Sequence, residues 1–521
     1  GQLAENAVLS LRKDASPTWE GMKTFLENQV PPSAPERERV RENFRQNLED
    51  LIALGKDAGA QPIVCTVGGN LRDCAPFASI HAPGVTESER EKIATLLKTN
   101  TVEALQEAVD LDGQFAESHY WLGRAHLSSG NAGAAFEPMG KARDLDALPF
   151  RTDATMNAAI RAAAKDAALV DVELELARNS ANSLPGEELF FDHVHFTFEG
   201  NYRVARLAAE AISPALAGGE GSGAWADQEE CDRALGLTDW NRRMAAEQML
   251  QRLSEPPFST QSNHADREES LARKVIAHRQ NASPGAREIY LAALAKHPED
   301  FRLLESYAEF LELSGKPEEA ARQWERVAEL LPYTHAPFFQ NGRLLAQAGK
   351  VEEAREALRR ALSIRPDLAE GMTELGLIAY REGKHAEALE WYDRAIKLRP
   401  RESRLRMHEA DALAASGNRG AAMEKLREAI ELRPNHWEAR YLLAVELAAT
   451  NKIPEAIQEF REVTRLRPDY AQAHFNLGVA LAKSGKIQEA YGEFRKTLEL
   501  EPAHRSAGEY AKMIEEAARP K

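Results

Sequence analysis

Asp192 and His195 stand three positions apart in the run Phe191, Asp192, His193, Val194, His195, Phe196, which leads to Gly200 and Tyr202. An imidazole titrates near neutrality, so it can take up and return a proton at physiological pH. A carboxylate at its other ring nitrogen fixes which nitrogen carries the hydrogen. The spacing therefore predicts His195 as a general base and Asp192 as the group that orients it, two members of a nucleophilic triad. The third member is missing: neither Gly-Asp-Ser nor Gly-x-Ser-x-Gly occurs in the 521 residues. His193 is expected at the surface or behind the pair. Asp192, His193 and His195 as a metal site would need a further well-spaced ligand that the sequence does not offer, so no metal and no cofactor is expected.

An α/β framework would have to hold this pair. Val40, Phe44, Leu48, Leu51, Ile52 and Leu54 recur among charges as one face of a helix that Gly59 closes. The β-branched run at residues 61–67 then reads as a buried strand. The loop Gly68, Gly69, Asn70, Leu71, Arg72, Asp73 follows, where parallel strands present ligands. Asn70 is its candidate substrate-loop or oxyanion donor; the alternative is a turn whose Asn and Asp cap their own backbone. Residues 168–176 alternate apolar and acidic side chains, the pattern of a returning strand, and residues 202–212 form a small-residue helix behind the Asp192 loop. Arg151 and Arg161 flank the returning helix as solvated charges or as contacts for an anionic substrate.

Residues 87–151 interrupt this framework with helices. His119, Leu122, Gly123, His126, Gly130, Ala135, Met139 and Ala142 have the spacing of one helix-turn-helix repeat, with Pro138 set awkwardly in its second helix. Ahead of everything, Trp19, Met22, Phe25 and Leu26 make a short helical pattern broken at Pro31 and Pro32. The glycine-rich run at residues 218–223 reads as a linker, followed by irregular helices to residue 267.

Composition sets the bounds. A chain of 521 residues, 43% hydrophobic and 28% charged, has enough apolar mass for at least two globular domains. A net charge of −16 without a long basic run argues against a nucleic-acid partner. The three cysteines, Cys65, Cys74 and Cys231, are too few and too scattered for a disulfide framework or a zinc ribbon. No stretch is long and apolar enough for a membrane helix, and the start at Gly1 has no signal-peptide pattern.

The strongest regularity lies in the carboxyl half. Pro298, Pro332, Pro366, Pro400, Pro434, Pro468 and Pro502 recur every 34 residues, and Ala286, Ala320, Ala354, Ala388, Ala422, Ala456 and Ala490 keep the same register. Alanine lets paired helices approach, and proline ends the second helix of each pair. Glycine at the turn (Gly315, Gly349, Gly383, Gly417, Gly485) takes a left-handed cap. This array resembles the tetratricopeptide repeat, with six well-formed units, a degenerate one before them from residue 268, and a cap helix from residue 504.

The resemblance implies a protein or peptide ligand on the concave face formed by the first helices. The fifth position of each unit is Glu305, Phe339, Thr373, Met407, Tyr441 and Phe475. Phe339, Met407, Tyr441 and Phe475 are therefore expected either to line a peptide groove or to pack between neighbouring repeats. The Lys and Asn clamp that some relatives use for a terminal carboxylate is absent.

Residues 37–212 resemble the later part of an SGNH (GDSL-type) hydrolase, on the Asp192-x-x-His195 block with Gly200 and on the strand and loop at residues 60–73. The resemblance implies a partial flavodoxin-like three-layer α/β domain, with His195 as base, Asp192 orienting it, and an ester or O-acyl substrate. It also implies that the serine-bearing block lies upstream of Gly1, and that a membrane-anchored, extracytoplasmic form exists. The domains expected are thus residues 1–217 as the partial hydrolase with its insertion at 87–151, 218–267 as linker and irregular helices, and 268–521 as the repeat array. The competing expectation is a non-catalytic repeat scaffold with a degenerate α/β part.

Overall fold

A proline at the first position and acidic residues in the first turn start helix α1, Pro35–Asp57, because both suit the unpaired N–H groups of a helix start. The structure, a computed structural model, describes residues 25–217, 225–280 and 285–517. It divides into two compact units, residues 1–296 and 297–521.

In the first unit, Ile52 of α1 packs with Val64, Ile160, Ala163 and Ala164. Strand β1, Ile63–Cys65, pairs in parallel with β2, Ala168–Val170, in the register Ile63 to Ala168 and Cys65 to Val170. Among the described residues this two-stranded sheet is the only one. The expected three-layer α/β domain is therefore corrected: two strands of three residues cannot carry helices on both faces, and the unit is mainly helical. The returning strand stops at Val170. Residues 172–178 form helix α7, Val172–Arg178, capped by the Asp171 side chain at 3.2 Å from the Leu174 N–H. The alternation that suggested a strand also places Val172 and Leu176 four apart, and helix α7 buries both of them.

The insertion is present as helices α2 (Glu87–Thr99), α3 (Val102–Leu111), α4 (Ala116–Ser128) and α5 (Phe136–Asp144). A Cβ at Gly123 would come 2.5 Å from Met139, so α4 and α5 touch through a glycine. Pro138 is less awkward than expected, because α5 begins at Phe136 and its first turn has no N–H partner to lose. Helix α6, Ala154–Ala163, leads to β2, and helix α8, Phe198–Ala217, follows the Asp192 loop.

The linker at 218–223 lies outside the described residues, as do Trp19 and Met22. The irregular helices after it are α9 (Gln228–Ala234), α10 (Asp239–Leu253) and α11 (His264–Gln280), with α12 (Ala286–Lys296) next. They form part of the first unit's core: Ala246, Leu253, Phe258 and Leu271 bury Cys74 and Phe77. All three cysteines are free.

The second unit holds six antiparallel pairs. First helices are α13 (Phe301–Leu313), α15 (His335–Gln347), α17 (Ala369–Arg381), α19 (Ser403–Ala415), α21 (Trp437–Ala449) and α23 (Ala471–Lys483). Second helices are α14 (Pro317–Leu330), α16 (Val351–Ile364), α18 (His385–Leu398), α20 (Arg419–Leu432), α22 (Ile453–Leu466) and α24 (Ile487–Leu500). Helix α25, Arg505–Ala517, closes the array. The six alanines from Ala320 to Ala490 are fully buried where the paired helices meet. The turn glycines have positive φ, and Asn451 takes the same place in the fifth unit with φ 61°. Along the array α15 contacts α17, α17 contacts α19, and α21 contacts α23, so these first helices lie side by side.

Candidate functional site

The Asp192 loop is a tight excursion closed at its base. Phe190 and Phe196 form an antiparallel bridge, Phe191 N–H donates to His195 O at 2.8 Å, and Thr197 N–H donates to Leu189 O at 2.9 Å. Gly200 makes that closure feasible, since a Cβ there would stand 2.3 Å from Leu189 O.

Within the loop Asp192 is fully buried. Its Oδ1 accepts the backbone N–H groups of Val194 at 2.9 Å and His195 at 2.8 Å, and its Oδ2 lies 2.7 Å from His195 Nδ1. Burial alone would raise the Asp192 carboxyl. The adjacent His193 ring and the two N–H donors outweigh it and hold the group well below the usual carboxylate range. The carboxylate is therefore charged at neutral pH and fixes the hydrogen on Nδ1 of His195, leaving Nε2 as the ring's acceptor. His195 keeps 47% of its side chain exposed. Among the described residues no hydroxyl or thiol is hydrogen-bonded to its ring, so the structure brings the acid and the imidazole together without a nucleophile.

Of the two positions expected for His193, the structure shows the one behind the pair and not the surface. It is buried against Phe77 at 5.1 Å, Phe258 at 5.5 Å and Phe150 at 6.3 Å, and burial lowers its pKa. The aromatic residues that enclose it come from distant stretches of chain, which no local pattern announces. Ligand atoms of Asp192, His193 and His195 lie within 4.8 Å of one another, a spacing that suits a cation. Both carboxylate oxygens are already engaged, however, by the two N–H groups and the His195 ring, while His193 Nδ1 lies 3.3 Å from Asp192 Oδ1 without a hydrogen bond.

Asn70 is 1% exposed. Its Nδ2 donates to Asp192 O at 3.0 Å, its backbone N–H donates to His193 O at 3.0 Å, and its Oδ1 accepts from Asp73 N–H at 2.9 Å. It thus ties the Asp192 loop to the loop after β1, and its Oδ1 contact with Asp73 N–H is the turn contact expected as the alternative to an oxyanion role.

Arg151, expected on the surface, is the clamp that the sequence reading missed. Its side chain is 2% exposed; Nη1 donates to Asn70 O and Cys74 O, each at 2.8 Å, and Nη2 lies 3.6 Å from Asp146. Its apolar neighbours Leu148 and Phe150 were the only sequence signal of burial. Arg161 binds Asp171 and Glu173 rather than standing free.

In the array Phe339, Met407, Tyr441 and Phe475 are all half-buried. Tyr441 accepts from Asn476 Nδ2 at 2.9 Å and its ring lies 5.3 Å from Tyr470, while the Phe475 ring lies 4.6 Å from His504. Tyr441 and Phe475 thus pack against neighbouring elements while each stays partly exposed.

Comparison with known proteins bears on the array. Residues 277–333, 339–403 and 408–463 match the tetratricopeptide repeat family, and residues 446–502 match a second TPR repeat description. Among solved structures, YrrB, described as a TPR protein with an unusual peptide-binding site, is 23% identical over 37% of this chain and 99% of its own, with a TM-score of 0.32. PilF of Pseudomonas aeruginosa is 18% identical over 42% of this chain and 98% of its own, TM-score 0.37. A tetratricopeptide repeat protein of Parabacteroides merdae is 17% identical over 47% and 95%, TM-score 0.37. No curated protein matches the chain. Its carboxyl half is an array of tetratricopeptide repeats.

Proposed function

We propose that this chain is an interaction scaffold whose repeat array holds an extended polypeptide along its inner face. The observation that carries this reading is the row of first helices, which run side by side with large residues half-exposed at the fifth position of four of the six units. Hydrogen exchange of the full chain, with and without a peptide selected on it from a random library, tests the reading. Protection is expected on α13, α15, α17, α19, α21 and α23. Protection confined to the second helices would overturn it.

A second reading is favoured by the 2.7 Å contact between Asp192 and His195. In it the first unit supplies the base and its orienting acid to hydrolysis of an ester or O-acyl bond, as an SGNH-type domain would, once a nucleophile is placed against His195 Nε2. The test is p-nitrophenyl acetate turnover by a protein that carries a Gly-Asp-Ser segment ahead of this sequence. His195→Ala should lower kcat by at least a thousandfold; equal rates would remove the reading.

A further inference from the structure

The two-stranded sheet of the first unit is open along β1. Its register fixes which backbone groups face outward. Ala168 N–H donates to Pro62 O and Thr66 N–H donates to Val170 O, each at 3.1 Å, so the bonds across to β2 start from residues 62, 64 and 66. Alternate residues of a strand turn their N–H and C=O to opposite sides, and those of Ile63, Cys65 and Val67 therefore point away from β2. Val67 is already answered. The Asn157 side chain, wholly buried on α6, accepts from Val67 N–H at 2.9 Å through Oδ1 and donates to Val67 O at 3.0 Å through Nδ2, the two bonds a neighbouring strand would make. Among the described residues, the outward groups of Ile63 and Cys65 meet no such partner.

This edge has the chemistry of a sheet interior. A border strand is normally blunted by charge, by proline within it or by a covering segment. Residues 62–67 carry no charge, Pro62 stands ahead of the strand, Cys65 is exposed and Val67 keeps 43% of its surface open. β1 is also apolar on both faces: Ile63 packs with the cluster of Val170, Leu189 and Phe190, and Val64 with Ile52 and Ile160. Such a strand normally lies within a larger sheet, and three or more strands are what make a sheet stable. The outer edge of β2 is the poorer candidate, because only Leu169 faces outward there and Asp166 and Asp171 flank it.

We propose that β1 takes a third strand from a separate polypeptide, an extended segment rich in β-branched residues whose backbone pairs with the N–H and C=O groups of Ile63 and Cys65. Only an extended backbone offers donors and acceptors in alternation at strand spacing. So short an edge holds a ligand weakly through hydrogen bonds alone, so burial of side chains against Cys65 and Val67 supplies the remainder and specifies apolar, β-branched residues. Asn157 sets the register, since a strand displaced toward Val67 would meet groups already taken. The site uses no residue of the Asp192 loop or of the array, and it stands or falls apart from both readings above.

The test is residue-resolved hydrogen exchange of the full chain with two peptides of alternating valine and threonine, each closed by a lysine at both ends. One has ordinary amides; in the other every internal amide is N-methylated, which keeps the side chains and charge but removes the donors. At saturation the ordinary peptide should slow exchange at Ile63 and Cys65 by about tenfold, and the methylated one should leave both unchanged. Equal slowing by the two peptides would make the contact a purely apolar one and overturn the proposal. So would protection elsewhere in the chain with none at Ile63 and Cys65, or no protection at all. Cys65→Pro removes one outward N–H and none of the bonds to β2. It should abolish the slowing at Ile63 while Val64 and Thr66, whose N–H groups face β2, keep their slow exchange; undiminished slowing at Ile63 would count against the pairing. If the variant loses its sheet, seen as fast exchange at Val64 and Thr66, the two peptides on the unaltered chain decide.

Discussion

The two units of this chain solve the same problem, holding helices together, by opposite means. In the array one contact recurs from unit to unit: a small residue on the first helix meets a large one sixteen positions on, as Gly376 meets Tyr392 and Gly478 meets Phe494. In the first unit the decisive contacts occur once and over long range, as when Arg151 joins the loop after β1 to the Asp192 excursion through Asn70. Repetition spreads stability over many equivalent interfaces, whereas a single buried clamp concentrates it.

The sharpest way to break that contrast is to remove the clamp. Arg151→Met should destabilise the first unit by about 3–5 kcal/mol, because Asp146 is left buried without its cation and two carbonyls lose their donor. Hydrogen exchange should then speed up at residues 68–78 and 189–197 while the array keeps its protection. Loss of protection in both units together would show that they do not behave as separate bodies.

Next in size, Asp192→Asn should cost about 2–3 kcal/mol locally, since an amide cannot accept from both N–H groups and His195 as the carboxylate does. Because the Asp192 carboxyl is held below its usual range, its contribution is present above about pH 4 and is lost as pH falls through the depressed value. Acid titration of exchange rates should therefore flatten in the variant.

In the array, Gly376→Ala would put a Cβ 2.4 Å from the Tyr392 ring and should cost about 1–3 kcal/mol. The matching change in the insertion, Gly123→Ala, meets the flexible Met139 and should cost less. Thermal denaturation of the two variants, followed by local exchange, ranks them; the reverse order would deny that the insertion is built on the repeat's packing rule.

The smallest effect has the opposite sign. Asp411, raised to about 6 by burial and Glu446, favours its neutral form in the folded array. Its stability contribution is greatest below about pH 4 and declines as pH rises through about 6. Asp411→Asn should gain about 1–2 kcal/mol at pH 7.5 in urea denaturation and nothing at pH 4.

What the sequence disclosed follows the same divide. A 34-residue period makes each alanine and turn glycine legible because six copies vote for it, and burial of Ala320 through Ala490 follows directly. Asp192 and His195 were legible as a local pair three residues apart. The returning strand was misread because five residues of alternation serve a helix as well as a strand, and only the capping role of Asp171 decides between them. Asn70 was legible as a turn residue, and its Oδ1 does accept from Asp73 N–H. Its reach to Asp192, the Arg151 clamp and the Phe77, Phe150 and Phe258 cage around His193 were not, since these contacts run to partners far away in the chain.

One turn in the array departs from its siblings. Five of the turns place glycine in the left-handed region, but the fifth unit places Asn451 there at φ 61°, at a cost of about 0.5–1 kcal/mol relative to glycine. In a nearly one-dimensional stack each joint carries its own share of stability, and this turn joins α21 to α22, whose Val445, Ala448, Ile453 and Phe460 line a small cavity with Val479 of α23. A glycine at position 451 would relieve that cost without touching a packed side chain, which makes this turn a place where one joint of the stack can be tightened by itself.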